Sequence, residues 1–195
     1  MIKIALTGKL RAGKSAVASY LSADYGFEEV AFGNALKHYA DKIFACSDVP
    51  AYKPEVITKY GVAWSKRKPR RLYQDFGQKL RELDPNIWIS HAEASVRIYE
   101  DKKSTAGIVI SDLRQPNEFE WCKRNGFVIV RVSAPLEERV KRAEIAGDAF
   151  ELAQLEHETE SYVDSFEVDY EIENVGDIDE LWANVDEIIE KESVN

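Results

Sequence analysis

Short apolar runs alternate along this chain with longer segments whose apolar residues recur every three to four positions. Ile2-Lys3-Ile4-Ala5-Leu6-Thr7, Phe27–Ala31, Gly107–Ser111, Phe127–Ser133 and Tyr170–Glu173 predict strands. Lys14–Tyr25, Asn34–Cys46, Arg71–Leu83 and Ile178–Glu192 predict helices, as do a segment opened by Asp84-Pro85 and running to about Glu100, one from Pro116 to the Asn125-Gly126 stop, and one from Pro135 to about Ala146. Gly107-Ile108-Val109-Ile110-Ser111 has no polar alternation, as expected of a strand covered on both faces. Strands of this kind alternating with helices predict an α/β fold, a three-layer αβα sandwich around a central parallel sheet. The expected core is 1–32, 107–135 and 168–195, with a helical insert at about 33–106 and a lid at about 136–167. No repeat, low-complexity stretch or long linker interrupts this single domain.

The first strand runs straight into Gly8-Lys9-Leu10-Arg11-Ala12-Gly13-Lys14-Ser15. This octet fits G-x-x-x-x-G-K-[ST] in the strand-to-helix setting that gives the pattern its meaning, the P-loop nucleoside triphosphate hydrolase fold. The glycines let the backbone curl so that successive N–H groups face inward around a di- or triphosphate, and the helix start adds its positive dipole end. Lys14 is placed to reach the β- and γ-phosphates, and the Ser15 hydroxyl to hold Mg²⁺. Gly8, Arg11, Ala12, Gly13, Lys14, Ser15 and Ala16 are therefore the expected ATP-binding residues, with ATP and Mg²⁺ as cofactors.

Such a loop serves switches, motors, transporters and kinases alike, so other residues must decide. The Asn-Lys-x-Asp and Asp-x-x-Gly motifs of GTPase switches are absent. Asp112-Leu113-Arg114 follows the buried strand, at the edge where ligands of parallel sheets bind. Asp112 can orient Mg²⁺ through its water shell, and Arg114 can grip a phosphate in fork geometry. The plainer alternatives are a cap for Asp112 and a surface pair with Glu118 or Glu120 for Arg114. Arg139 and Arg142, three apart on one helix face, are expected to close over the migrating phosphoryl as an arginine-bearing lid. The alternative is a solvated Glu138–Arg142 pair.

Composition narrows the partners. The chain has 195 residues, 45% hydrophobic and 31% charged, which suits one globular domain. Its net charge of −9 argues against a nucleic-acid polymer or an anionic membrane as partner, so any phosphate site must come from local clustering of cations. No run approaches the ~20 apolar residues that span a bilayer, and the chain enters its first strand at once. A cytoplasmic location and small-molecule substrates are expected, and a homodimer stays open. Cys46 and Cys122 are read as buried, reduced thiols. The basic run Lys66–Arg71 is either a solvated loop or a nucleotide grip.

Several further segments carry a family resemblance. Ala31-Phe32-Gly33-Asn34-Ala35-Leu36-Lys37, Leu72-Tyr73-Gln74-Asp75-Phe76-Gly77 with Arg81 and Trp88, and Ile110-Ser111-Asp112-Leu113-Arg114-Gln115-Pro116-Asn117-Glu118 follow the loop in order. With it they resemble the deoxynucleoside monophosphate kinases of bacteriophages and bacteria. His157-Glu158-Thr159-Glu160 is similar to that family's His-x-Ser-Glu segment, and Asn174-Val175-Gly176 to the Asn-x-Gly turn that flanks the adenine of ATP in related kinases. The resemblance covers most of the chain. It implies transfer of the ATP γ-phosphate to a deoxynucleoside 5′-monophosphate, with Mg²⁺. It also implies that Asn174, Val175 and Gly176 bind ATP, that Phe32 stacks on a base, that Lys37 contacts a phosphate and that Trp88 walls the base pocket. Arg81 and Arg114 would clamp the acceptor phosphate, with Glu118 in the same site. Phe32 and Trp88 read equally well as core aromatics, and Lys37 as a solvated helix residue. Two departures stand out: Arg11 adds a cation inside the loop, and Thr159 replaces Ser while keeping its hydroxyl.

Rival readings are specific. Dephospho-CoA kinase shares the loop and the late turn, but Phe32-Gly33-Asn34 stands where that family carries Asp-x-Asp. Phosphomevalonate kinase of the animal type shares the Asp-x-Arg strand end. A non-catalytic ATP-binding regulatory module remains the alternative from another class.

Overall fold

A computed structural model describes residues 1–45, 56–58, 61–63, 70–102, 105–146 and 162–194. In chain order the elements are β1 (Ile2–Thr7), α1 (Lys14–Tyr25), β2 (Phe27–Val30), α2 (Phe32–Phe44), β3 (Val56–Thr58), β4 (Gly61–Ala63), α3 (Arg70–Leu83), α4 (Ile87–Glu100), β5 (Gly107–Ile110), α5 (Pro116–Arg124), β6 (Val128–Ser133), α6 (Leu136–Ile145), β7 (Tyr170–Glu173) and α7 (Ile178–Val194). By its internal packing the chain divides into one unit of residues 1–31 and 95–195 and a second of residues 32–94.

The first unit holds a five-stranded, wholly parallel sheet in the order β2-β5-β1-β6-β7. The crossovers out of β1 place β2 and β5 on one side of it and β6 and β7 on the other. Strand β1 therefore delivers its carboxyl end to the point where the winding reverses, which is where open α/β sheets bind ligands. Every residue of β5 is buried, as its unbroken apolar run requires. Val17, Ala18 and Leu21 of α1 and Leu181, Val185, Ile188 and Ile189 of α7 pack with Ile4, Leu6, Val130, Val132 and Ile172 of the sheet. Each such Val, Leu or Ile side chain contributes about 1.5–3 kcal/mol on burial. Tyr20 stacks on Trp182 at 4.3 Å, and Asp186 Oδ1 accepts both the Tyr20 hydroxyl at 2.8 Å and the Tyr25 hydroxyl at 2.6 Å. These contacts tie α1 to α7.

The second unit comprises α2, the β3–β4 antiparallel hairpin, α3 and the first half of α4. Gly77 lets α3 press on α2, since a Cβ there would lie 2.3 Å from Leu36 Cδ1. Phe76 lies between Phe44 and Trp88 at ring separations of 6.3 and 6.2 Å, and Tyr73 donates to Asp41 Oδ1 at 2.6 Å.

All five core strands fall within a residue of their expected limits. The helices differ more. Helix α2 begins at Phe32 rather than Asn34, because Gly33 sits in the first turn, where N–H groups have no helical partner to lose. Helix α4 begins at Ile87, because Asp84 instead closes a lead-in turn, accepting Asn86 N–H on Oδ1 at 2.9 Å and Ile87 N–H on its carbonyl at 3.1 Å. The insert is not wholly helical, since the β3–β4 hairpin lies within it. Cys46, most of the basic run (66–69) and the His157-Glu158-Thr159-Glu160 segment lie outside the described residues, as does 147–161 of the expected lid.

Candidate active site

The octet folds as a curled loop between β1 and α1. Gly8, Arg11 and Gly13 have φ of 135°, 65° and 119°, and Arg11 is the one non-glycine residue with positive φ among the described residues. Space as well as dihedral angle demands the two glycines. A Cβ on Gly8 would lie 2.1 Å from the Val132 carbonyl oxygen, and one on Gly13 would lie 2.2 Å from Asn174 Nδ2. Lys14 is 7% exposed and folds its ammonium back onto the loop, donating to the Gly8 carbonyl and, at 2.9 Å, to the Lys9 carbonyl. Ser15, by contrast, lies exposed in the first turn of α1. Ala16 follows it, its N–H bonded to the Gly13 carbonyl at 2.9 Å.

The segment after β5 is sewn to the start of this loop. Leu113 N–H donates to the Leu6 carbonyl at 3.2 Å, and the buried Thr7 hydroxyl donates to the Leu113 carbonyl at 3.1 Å. Asp112 and Arg114, half-buried, flank that stitch. Glu118, 3% exposed, turns Oε2 back to accept the N–H groups of Arg114 and Gln115 at 3.0 Å each, completing a capping box for α5. This use of its carboxylate is internal to the turn.

Arg139 and Arg142, expected over the migrating phosphoryl, are turned onto loop carbonyls. Arg139 Nε donates to Leu10 O at 2.8 Å. Arg142 Nη1 reaches Arg11 O at 3.4 Å and Ala12 O at 3.3 Å, while Nη2 reaches Asn174 O at 3.0 Å and Asn174 Oδ1 at 3.2 Å. Asn174, also buried, donates Nδ2 to Ala12 O at 2.8 Å. Val175 and Gly176 continue exposed from it.

A cavity of about 280 Å³ opens beside Gly8, lined by Lys9, Arg131, Ser133, Leu136, Arg139 and Asp164 among others. Three of these side chains are cationic and one is a carboxylate, in a chain of net charge −9. That local reversal of sign suits a polyanion. Lys9 pairs with Asp164 at 2.6 Å. Thr7, Lys9 and Asp164 escape a sequence reading, because their roles come from partners 106 and 155 residues away.

The remaining expected residues belong to the second unit. Phe32 and Trp88 are each 2% exposed, and the Trp88 indole N–H donates to the Gly77 carbonyl at 3.2 Å, so neither ring shows a face to solvent. Lys37 is exposed and Arg81 half-buried.

These residues suit ATP and Mg²⁺. The loop is curled by glycines at positive φ, carries the Lys14 ammonium against it, and has Ser15 exposed at the start of α1. Among the described residues no cluster of three His, Cys, Asp or Glu could hold a metal by itself. A magnesium ion held largely by phosphate oxygens and water needs no such cluster. No helix among the described residues is long and apolar enough to cross a membrane.

No family model matches the chain. A protein of Acanthamoeba polyphaga mimivirus named "Putative deoxynucleotide monophosphate kinase" is 30% identical over 145 residues, covering 69% of this chain and 75% of that protein. Among solved structures, TT1252 from Thermus thermophilus matches with a TM-score of 0.58 at 21% identity, covering 97% of each chain. Dephospho-CoA kinase from Campylobacter jejuni matches at 0.51 and 16%, covering 98% of this chain and 96% of that one. A gluconokinase from Sinorhizobium meliloti 1021 matches at 0.51 and 15%, covering 99% and 96%. At these identities the structures share the fold, the αβα sandwich of P-loop kinases. Taken with the loop geometry and the viral relative, this makes the chain a P-loop kinase that belongs to the deoxynucleotide monophosphate kinase family.

Proposed function

We propose that this kinase transfers the γ-phosphate of ATP to a deoxynucleoside 5′-monophosphate. An oxygen of the acceptor's 5′-phosphate would attack Pγ in line, the bond from Pγ to the bridging oxygen would break, and ADP and a deoxynucleoside diphosphate would leave. The observation that supports this best is the stitch joining Leu113 to Leu6 and Thr7, which fixes an Arg-bearing turn beside the phosphate loop. A protein that only bound ATP would have no use for a fork-shaped cation there. Phosphoryl transfer needs alignment and charge neutralisation more than covalent help.

In this proposal Gly8, Arg11, Ala12, Gly13, Lys14, Ser15 and Ala16 cradle the triphosphate, while Asn174, Val175 and Gly176 border the adenine. Lys14 would leave the Gly8 and Lys9 carbonyls for the β- and γ-oxygens. Mg²⁺, held by Ser15 and through water by Asp112, would offset charge on the transferring phosphates. Arg114 and Arg81 would clamp the acceptor phosphate, with Lys37 as a further contact and Phe32 and Trp88 shaping the acceptor unit. Arg139 and Arg142 complete the ring of cations at the donor end.

The test is a coupled ADP-release assay with ATP and Mg²⁺. The acceptor panel holds the four deoxynucleoside monophosphates, their ribose counterparts, dephospho-CoA and phosphomevalonate. Turnover on one or more deoxynucleotides, abolished by Lys14→Met, supports the reading. Turnover confined to dephospho-CoA or phosphomevalonate would keep the chemistry and overturn the acceptor.

A further inference from the structure

The guanidinium of Arg142 makes four donations, all to oxygens of the protein itself: the carbonyls of Arg11 and Ala12, and both oxygens of Asn174. Asn174 returns a bond from Nδ2 to the Ala12 carbonyl and is anchored in turn by its own N–H on the Ser133 carbonyl at 2.8 Å. Arg139 takes the preceding carbonyl, that of Leu10. Three successive peptide planes of the loop, 10–11, 11–12 and 12–13, are thus gripped by their carbonyl oxygens from the side of α6 and the 174 turn.

In a trans peptide the N–H points opposite to the C=O. Holding the Leu10 and Ala12 carbonyls toward α6 therefore aims the Arg11 and Gly13 N–H groups the other way. The Ala12 N–H closes a turn on the Lys9 carbonyl at 3.2 Å. Arg11 at φ 65° is in a conformation that is costly for a non-glycine residue, and the grip on its carbonyl and its neighbours' offsets that cost. The grip also explains why Gly13 tolerates no side chain, since Asn174 Nδ2 occupies the place of its Cβ.

We propose that Arg142 and Asn174 act as one positioning unit that holds the loop in its anion-accepting conformation, so that Arg142 serves polyphosphate affinity rather than the transition state. This rests on ATP as the donor but on no particular acceptor. A failed acceptor panel with polyphosphate binding intact would sink the acceptor reading and leave this one standing.

The experiment measures calorimetric binding of inorganic tripolyphosphate and of adenosine, together with kcat and KM for ATP, in wild type, Arg142→Ala, Asn174→Ala and the double variant. Tripolyphosphate has no base, so its loss reports the loop alone. Arg142→Ala is expected to weaken tripolyphosphate by about 10- to 100-fold, the scale of hydrogen bonds from a charged donor, with adenosine little changed. KM for ATP should rise in parallel, and kcat at saturation should fall by less. The double variant should be no worse than the poorer single variant by more than about threefold, because the two residues act as one. If Arg142→Ala fails to fold, Arg142→Lys and Asn174→Asp carry the test, since a lysine keeps the charge but cannot fork and an aspartate loses the Ala12 bond. Unchanged tripolyphosphate affinity with a 10³-fold loss of kcat would overturn the proposal in favour of a transition-state arginine. Fully additive losses would overturn it as well.

Discussion

Glu118 holds Arg114 through the backbone: its Oε2 accepts the Arg114 N–H at 3.0 Å, and the Gln115 N–H at the same distance, from a position almost closed to solvent. The carboxylate thereby sets the turn from which the Arg114 side chain projects. Glu118→Ala is expected to lower kcat/KM for the acceptor by about 10- to 100-fold while leaving KM for ATP near the wild-type value. Glu118→Gln keeps an accepting oxygen and should recover most of the loss. Steady-state kinetics in both substrates check this, and equal damage to the ATP and acceptor terms would refute it.

The two loop glycines fail for steric reasons that a third glycine does not share. Gly8→Ala sets a Cβ against the fixed Val132 carbonyl at φ 135° and should cost about 3 kcal/mol or more. Gly126, at φ 72°, has nothing within 4 Å of the added carbon, so Gly126→Ala should cost only about 1 kcal/mol. Urea unfolding of the two variants side by side measures the difference.

How much of this was legible in the sequence depends on distance along the chain. The loop is local, eight consecutive residues between a strand and a helix, and it was fully readable. Strands such as Gly107–Ile110 were readable because burial on both faces leaves no polar position to blur their ends. The three-residue strands Val56–Thr58 and Gly61–Ala63 are too short to show a period, and so the hairpin went unseen. The arginines of α6 were visible as a pair, but their targets were not. Arg142 meets Ala12 across 130 residues and Asn174 across 32, and no spacing rule encodes such a meeting. Trp88 shows the same limit from the other side, since its residue type suits a base pocket while its indole N–H is spent on Gly77.

Cys122 should resist chemistry while the protein is folded. Burial, then the nearby charges of Glu118 and Asp112, push its thiol well above the usual range, so the thiolate is scarce. In a Cys46→Ser background, labelling with a disulfide reagent at pH 8 is expected to proceed at the rate of unfolding and to accelerate with urea. Rapid stoichiometric labelling without denaturant would show the prediction wrong.

Alkaline pH should loosen the α1–α7 contact. The hydrogen bond to Asp186, with burial and the Asp186 charge, pushes Tyr25 upward from its ordinary value near 10, and Tyr20 shifts the same way. The neutral phenol is thus the form the fold favours. Its contribution is whole below about pH 10, where the unfolded tyrosine also keeps its proton, and drains away as pH climbs toward the raised folded value. Urea midpoints between pH 9 and 11.5 should therefore fall more steeply for wild type than for Tyr25→Phe. Parallel slopes would remove Tyr25 from the explanation.

Lys9, Arg11, Lys14, Arg139 and Arg142 lie on or against one loop, whereas α7 carries Asp179, Glu180, Asp186, Glu187, Glu190 and Glu192 against a single lysine. Among the described residues a polyanion therefore meets charge of opposite sign at the loop and at this helix. The attraction of this cationic cluster for a phosphate chain weakens as salt shortens its reach to about 8 Å at physiological ionic strength. In a chain whose acidity argued against nucleic-acid and membrane partners, these few clustered cations are what a phosphate-bearing substrate can be drawn to.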